Sequence, residues 1–241
     1  MSALGHPRLH LRSTDSTNER ARELAIAGAP HGTLVTAAEQ SAGRGRQGRR
    51  WSAPAGSSIL MSLLLRDPPR LLPLMAAVAV CDVAGEGAQI KWPNDIVLPD
   101  AGSLAKLAGI LVEGRPQEGW AVLGIGVNVA VRLKDLPTEL QPGQSGDARI
   151  AATLGRSAEE IEPLLGQLLG ALEHWLAEPD AATLHAWRAR DALRGREIVW
   201  SAGRGVAEGI DGEGRLVVAL AGGGHTALGA GEVHLQRVAS G

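Results

Sequence analysis

A chain of 241 residues, 44% hydrophobic and 21% charged, has apolar material for one large domain or a medium and a small one, and too much to stay disordered. Its 24 basic residues against 26 acidic ones leave a formal net charge of -2, so no overall basic field points to nucleic acid or a membrane surface. A single cysteine excludes a disulfide framework and a cysteine-rich zinc site.

In chain order, residues 8–12 alternate and predict a strand. Ser16 and Glu19 have the Ser-x-x-Glu spacing of a capping box, predicting a helix to about residue 27 that Gly28 and Pro30 stop. A strand over 33–39 leads into Gln40-Ser41-Ala42-Gly43-Arg44-Gly45-Arg46-Gln47-Gly48-Arg49-Arg50-Trp51, too rich in glycine for either regular state. Residues 58–65 predict a mostly buried strand and 71–83 a buried helix. Pro73 and Asp82 interrupt that apolar run, which is too short to span a bilayer, and residues 1–8 hold no signal-peptide core. A cytoplasmic protein without membrane contact is expected. A short strand over 89–92 ends in Pro93-Asn94-Asp95, a turn by composition, and 106–113 and 120–131 are two more apolar strands.

Beyond a polar stretch at 138–146, leucines 164, 165, 168, 169, 172 and 176 recur at helical spacing together with Trp175, although Pro163 obscures where that helix begins. A second helix covers about 181–190. After Leu193 the texture changes to short strands at 197–201, 204–210, 215–220, 225–228 and 232–235, with Asp211-Gly212-Glu213-Gly214 as a hairpin turn. This pattern predicts a small β-barrel behind an α+β domain.

The composition itself directs attention. With no Phe, no Tyr, three Lys and three Asn, a scarce residue carries information: Lys91, Lys106, Asn18, Asn94 and Asn128 all fall in motif-like segments. Arginine replaces lysine where only charge matters, but not where a compact ammonium is wanted.

Several familiar signatures fall away. Gly43-x-Gly45-x-x-Gly48 has dinucleotide-binding spacing, but Arg49-Arg50-Trp51 follows it instead of an apolar helix. Ser103-x-x-Lys106 lacks the companion motifs of serine hydrolases that use this pattern. The seven histidines are scattered, and Cys81 reads as a small buried hydrophobe. The arginine loop remains. Arg44, Arg46, Arg49 and Arg50 lie within seven residues, beside glycines that let backbone N–H groups approach an oxyanion. Guanidinium forks match phosphate oxygens, so the loop suits a polyphosphate. A solvated basic loop and an RNA-binding arginine-glycine segment are the other readings, the latter disfavoured because no Phe or Tyr exists to stack bases. By themselves, Lys91-Trp92-Pro93-Asn94-Asp95 is an ordinary strand exit and Lys106 an edge residue. Gly124 and Gly126 weaken a buried strand unless a ligand or another backbone comes close.

In this order, Asp15-Ser16-Thr17-Asn18, Gln40 with the arginine loop through Trp51, and segments 91–95, 106–111 and 124–128 closely resemble the motif series of the biotin protein ligases, from about residue 8 onward. The resemblance implies an α+β fold. A catalytic domain similar to class II aminoacyl-tRNA synthetases, a mixed sheet with helices, is expected over 1–191, and a small SH3-like β-barrel over 192–241. With few residues ahead of the first strand, the monofunctional type is expected, lacking the N-terminal DNA-binding domain and binding no DNA, as a monomer or homodimer. The implied reaction consumes ATP and biotin with Mg2+ as cofactor. It forms biotinyl-5′-AMP and then biotinylates a lysine of a biotin carboxyl carrier protein, or the equivalent domain of a biotin-dependent carboxylase.

By the same resemblance, Lys106, Arg46, Asp95 and Lys91 are the catalytic set, with Lys106 touching both the biotin carboxyl and the α-phosphate. Biotin is assigned to Ser16, Thr17, Asn18, Gln40, Gly43, Arg44, Gly45, Arg46, Lys106 and Gly109. ATP is assigned to Arg46, Arg49, Trp51, Asn94, Lys106 and Asn128, and Mg2+ to Asp95. A lipoate-type acyl-adenylate ligase of the same fold is the alternative, disfavoured because the arginine loop and segment 91–95 belong to the biotin branch.

Overall fold

The computed structural model describes residues 4–100, 103–141, 151–229, 234 and 235. Seven strands build a mixed sheet: β1 (Arg8–Leu11), β2 (Leu34–Ala37), β3 (Ser58–Arg66), β4 (Gln89–Lys91), β5 (Asp95–Asp100), β6 (Ser103–Arg115) and β7 (Trp120–Asn128). Their order is β1-β2-β3-β7-β6-β5-β4, with β1 and β2 parallel and every other neighbouring pair antiparallel. The parallel pair needs a crossover. Helix α1 (Thr17–Ile26) supplies it and packs on one face of the sheet, while α2 (Leu72–Ala84), α3 (Ile161–Ala177) and α4 (Asp180–Arg188) gather on the other. Strand β3 is therefore covered twice and shows no polar alternation. Its Ile59, Met61, Leu63 and Leu65 join the core with α2 and α3, whereas Leu64 meets Ala21, Ala25, Val35 and Val122 beneath α1.

The second sheet holds β8 (Glu197–Trp200), β9 (Gly203–Ile210), β10 (Leu216–Leu220), β11 (His225–Leu228) and β12 (His234–Leu235), in the order β11-β10-β9-β8-β12 and antiparallel throughout. An α+β fold with a large mixed sheet and a separate small antiparallel sheet is the expected architecture. Ile198, Ala207, Leu216 and Val218 are buried in the same apolar cluster as α2 and α4. The β9–β10 turn is pinned by side chains of the larger part: Trp92 Nε1 donates to Gly214 O at 3.1 Å, Arg70 Nη2 to Gly212 O at 3.2 Å, and Arg188 Nε to Ile210 O at 3.1 Å. Gly214 has φ 77°, and a Cβ there would lie 2.7 Å from Leu74 Cδ1, so the turn ends on glycine for reasons of both backbone and space.

Some expectations change. Segment 93–95 is not purely a turn, because Asp95 opens strand β5, which escaped notice through its Pro99 and Asp100. Strand β6 begins at Ser103, and β7 stops at Asn128. The polar stretch at 138–146 and the strand at 232–235 lie partly outside the described residues. The capping box at Ser16 does not form: Ser16 is the N-cap without a side-chain cap bond, its own N–H donates to Asp15 Oδ1 at 2.7 Å, and Glu19 turns to Arg22 and Arg44. Two arginines outcompete one backbone N–H for that carboxylate. Ser157 and Glu160 form a capping box instead, in the 3-10 turn that leads into α3. Pro163 is tolerated as the third residue of α3, where an N–H has no intrahelical acceptor.

Among the described residues no helix is long and apolar enough to cross a membrane. Cys81 is buried in α2, and burial pushes its thiol from the ordinary 9.0 up to about 12. The protonated thiol is thus favoured by folding. Its contribution is fully present below pH 9 and is lost as pH rises toward 12. Urea unfolding between those limits should show stability falling with pH, and Cys81→Ala should flatten that slope. The absence of tyrosine removes one competing titration from the window. An unchanged slope in the variant would exclude Cys81 as its source.

Candidate active site

The site lies on the α1 face of the large sheet, and its floor is made by alternation. Asp95 on β5, Gly109 on β6, Gly126 on β7 and Leu60 on β3 form one cross-strand row, with Leu111, Gly124 and Ser62 forming the next. A bulge opposite Ile96 and Val97 inserts Leu107, so Lys106 and Gly109, three residues apart, share the site face. A Cβ on Gly126 would meet Trp51 Cε2 at 2.6 Å, and one on Gly124 would meet Asn18 Oδ1 at 2.1 Å. The glycines that weaken β7 are explained by two side chains lying flat on the strand, where a ligand or backbone was expected.

Lys106, Asp95, Arg46 and Trp51 meet over the first row. Lys106 Nζ is 2.6 Å from Asp95 Oδ1 and 5.6 Å from the centroid of the Trp51 ring, within cation–π range. Burial lowers the pKa of the half-buried Arg46 guanidinium and Asp95 raises it, which leaves Arg46 charged at neutral pH. Trp51 Nε1 is a buried donor without an acceptor in the described protein. Lys91 pairs in register with Asp95 from the edge strand β4.

Over the second row runs a buried polar chain. Gln40 Oε1 accepts from Thr17 N at 2.7 Å and from Thr17 Oγ1 at 3.1 Å, so a side chain caps the first turn of α1. Ser62 Oγ lies 2.8 Å from Thr17 Oγ1 and donates to Asn18 Oδ1 at 2.6 Å, while Asn18 Nδ2 donates to Glu113 Oε2 at 2.8 Å. Ser16, Thr17, Asn18 and Ser62 are all buried.

The arginine loop closes this chain from above. Its only regular turn is the 3-10 segment Arg46–Gly48. Gly45 N donates to Arg49 O at 2.7 Å, and Trp51 N donates to Gly43 O at 2.9 Å. A Cβ on Gly43 would lie 2.5 Å from Trp51 O. Arg44 reaches Glu19 Oε2 at 3.0 Å and Glu113 Oε1 at 3.8 Å, and Arg49 Nη2 donates to Gln47 Oε1 at 3.4 Å. Between residues 42–50 and Leu111 and Glu113 opens a cavity of about 710 Å³.

Two of the sequence candidates take up framework positions. Asn94 Nδ2 donates to Ile110 O at 2.9 Å, and Asn128 Nδ2 to Ala152 O at 2.9 Å. These amides tie strand ends to neighbouring backbone. Two residues of the site went unnoticed in the sequence, Ser62 and Glu113. Their signals were a hydroxyl inside the apolar run of β3 and a carboxylate closing the apolar run of β6. Among the described residues no group of three His, Cys, Asp or Glu is arranged to hold a metal. A magnesium ion carried largely by phosphates needs only one or two carboxylates, and the partly exposed Asp95 fits that lesser requirement.

Comparison with known proteins agrees with the geometry. The model of the biotin/lipoate A/B protein ligase family matches residues 10–129, the stretch that carries the polar chain, the arginine loop and the glycine floor. The fold is that of the biotin protein ligase from Aquifex aeolicus in complex with biotin and ATP, with a TM-score of 0.77 at 24% identity over 97% of this chain and 100% of that one. The biotin--[acetyl-CoA-carboxylase] ligase of Paracoccus denitrificans is 34% identical over 229 residues, covering 86% of this chain and 92% of that protein. The chain belongs to the biotin protein ligase family. The bifunctional ligase/repressor BirA of Bacillus subtilis is 41% identical over 157 residues, 60% of this chain, and the match spans 45% of that longer relative.

Proposed function

We propose that this chain is an ATP-dependent ligase that activates biotin as biotinyl-5′-AMP and transfers the biotinyl group to a lysine of a biotin carboxyl carrier protein. In the first step a carboxylate oxygen of biotin attacks the α-phosphorus of ATP, the new O–P bond forms, and pyrophosphate leaves. In the second, the acceptor amine attacks the acyl carbon, the C–N bond forms, and AMP departs with the mixed-anhydride oxygen. Chemistry of this kind is mostly positioning and charge stabilisation.

The carrying observation is the cluster of Lys106, Asp95, Arg46 and Trp51 on the glycine floor, beside a buried polar chain. Lys106 presents a compact ammonium where the biotin carboxylate and the α-phosphate meet, and Asp95 holds it there until substrates arrive. Arg46 and Arg49 face the phosphates, and the unpartnered Trp51 N–H is offered to the nucleotide side. Thr17, Asn18, Gln40 and the loop at Gly43, Arg44 and Gly45 line the end suited to a ureido ring, whose buried polar groups need partners. Mg2+, when bound, neutralises phosphate charge, with Asp95 as the residue to hold it. Residues 1–191 act as the ligase domain and 192–241 as a barrel docked on it.

Pyrophosphate release tests this reading. It should require ATP and biotin together, be absent with lipoate, and be followed by acid-stable labelling of a carrier domain. Release driven by lipoate would favour the acyl-adenylate alternative, and biotin binding without release would make the chain a binding protein.

A further inference from the structure

We propose that Glu113 is a positioning residue for biotin specificity, one carboxylate oxygen orienting the Asn18 amide and the other latching the arginine loop through Arg44. This rests on the site being the biotin pocket. Glu113 is the residue where the two halves of the site join: Oε2 accepts from Asn18 Nδ2 at 2.8 Å, and Oε1 faces Arg44 at 3.8 Å. An asparagine amide is ambiguous, because its two ends are nearly equal in shape and opposite in hydrogen bonding. A carboxylate only accepts, so Glu113 compels Nδ2 to face it and leaves Oδ1 to the Ser62 hydroxyl at 2.6 Å. Gly124 lets that oxygen lie on the sheet. Each end of the amide then keeps one unused capacity, an N–H and a lone pair, in a single pattern. A cyclic urea, which carries both N–H and C=O, can be read by such a pattern, while a dithiolane ring can not. A site that spends buried polar groups on its ligand discriminates strongly against analogues that leave them unpaired.

The same carboxylate couples this pattern to closure. Arg44 stands between Glu113 on β6 and Glu19 on α1, so the loop is tied to both elements that hold Asn18. Glu19 shares the latch but has no bond to the Asn18 amide; among the described residues only Glu113 does both.

Two substitutions in the full chain separate these roles. Glu113→Ala removes both bonds, whereas Glu113→Gln keeps an acceptor for Asn18 and loses the charge facing Arg44. Steady-state pyrophosphate release should show the biotin KM of Glu113→Ala raised about tenfold, with the ATP KM little changed. Glu113→Gln should recover part of that loss, and combining it with Arg44→Gln should cost little more than Arg44→Gln alone, because both break one contact. A biotin KM within about twofold of the parent in Glu113→Ala overturns the proposal. So does a loss shared equally by kcat and the ATP KM, or full additivity in the double variant. A parent chain that releases no pyrophosphate with biotin overturns the ligase reading and this proposal together, whereas an active parent with an unaffected Glu113→Ala overturns this proposal alone.

Discussion

Lys106→Ala should lower the rate of biotin-dependent pyrophosphate release by roughly 10²–10³-fold, the usual cost of removing one preorganised donor from a developing negative charge. The bulge at Leu107 turns this side chain onto the site face, and Asp95 at 2.6 Å holds the ammonium beside the Trp51 ring. The side chain is 38% exposed, so truncation leaves no large cavity and the melting temperature should stay close to the parent's. Lys106→Arg should not restore the rate, because a planar guanidinium can not take the place of a compact point charge between a carboxylate and a phosphate. A near-normal rate in the alanine variant would return Lys106 to the role of an edge-strand residue.

Gly124→Ala is expected to damage both fold and site. The added methyl would lie 2.1 Å from Asn18 Oδ1 and 2.8 Å from Asn18 Cγ. Asn18 has no slack with which to withdraw, being held by Ser62 on one side and Glu113 on the other. Expelling it breaks two hydrogen bonds, a buried one to Ser62 and a partly buried one to Glu113, and overpacking of this kind costs about 1–3 kcal/mol. The biotin KM should rise by at least about tenfold, and the melting temperature should fall. Gly166→Ala on α3 is the control: nothing lies within 4 Å of its Cβ, and alanine in a helix interior gains about 0.5–1 kcal/mol over glycine. If Gly124→Ala were as stable and active as Gly166→Ala, the contact between Asn18 and the strand would have no functional weight.

Arg46, Asp95 and Lys106 were legible as chemistry because their residue types and spacing are unusual in a chain with three lysines, and the structure brings them to one place. Asn94 and Asn128 were equally conspicuous, and their amides donate to the backbone at Ile110 and Ala152, two ties that scarcity alone does not foretell. Ser62 and Glu113 were invisible for the opposite reason. Serine and glutamate are common residues, and their importance comes from partners 44 and 95 positions away.

The sequence by itself determined the order of the strands and helices except β5, the buried character of β3 and α2, and the loop too rich in glycine for regular structure. Each of these follows from local periodicity, and apolar residues at period 2 or 3.6 decide which way a side chain faces. Tertiary structure alone decided what each side chain faces. Strand order placed β7 between β3 and β6, so Gly124 came under Asn18 and Gly126 under Trp51, and a one-residue bulge turned Lys106 toward Asp95. Ser16 and Glu19 had the spacing of a cap, yet the carboxylate went to two arginines, one of them on a distant loop. Local rules specify donors and acceptors one turn apart; an ion pair or a close approach across the sheet overrides them because its partners are brought together only when the whole core is packed.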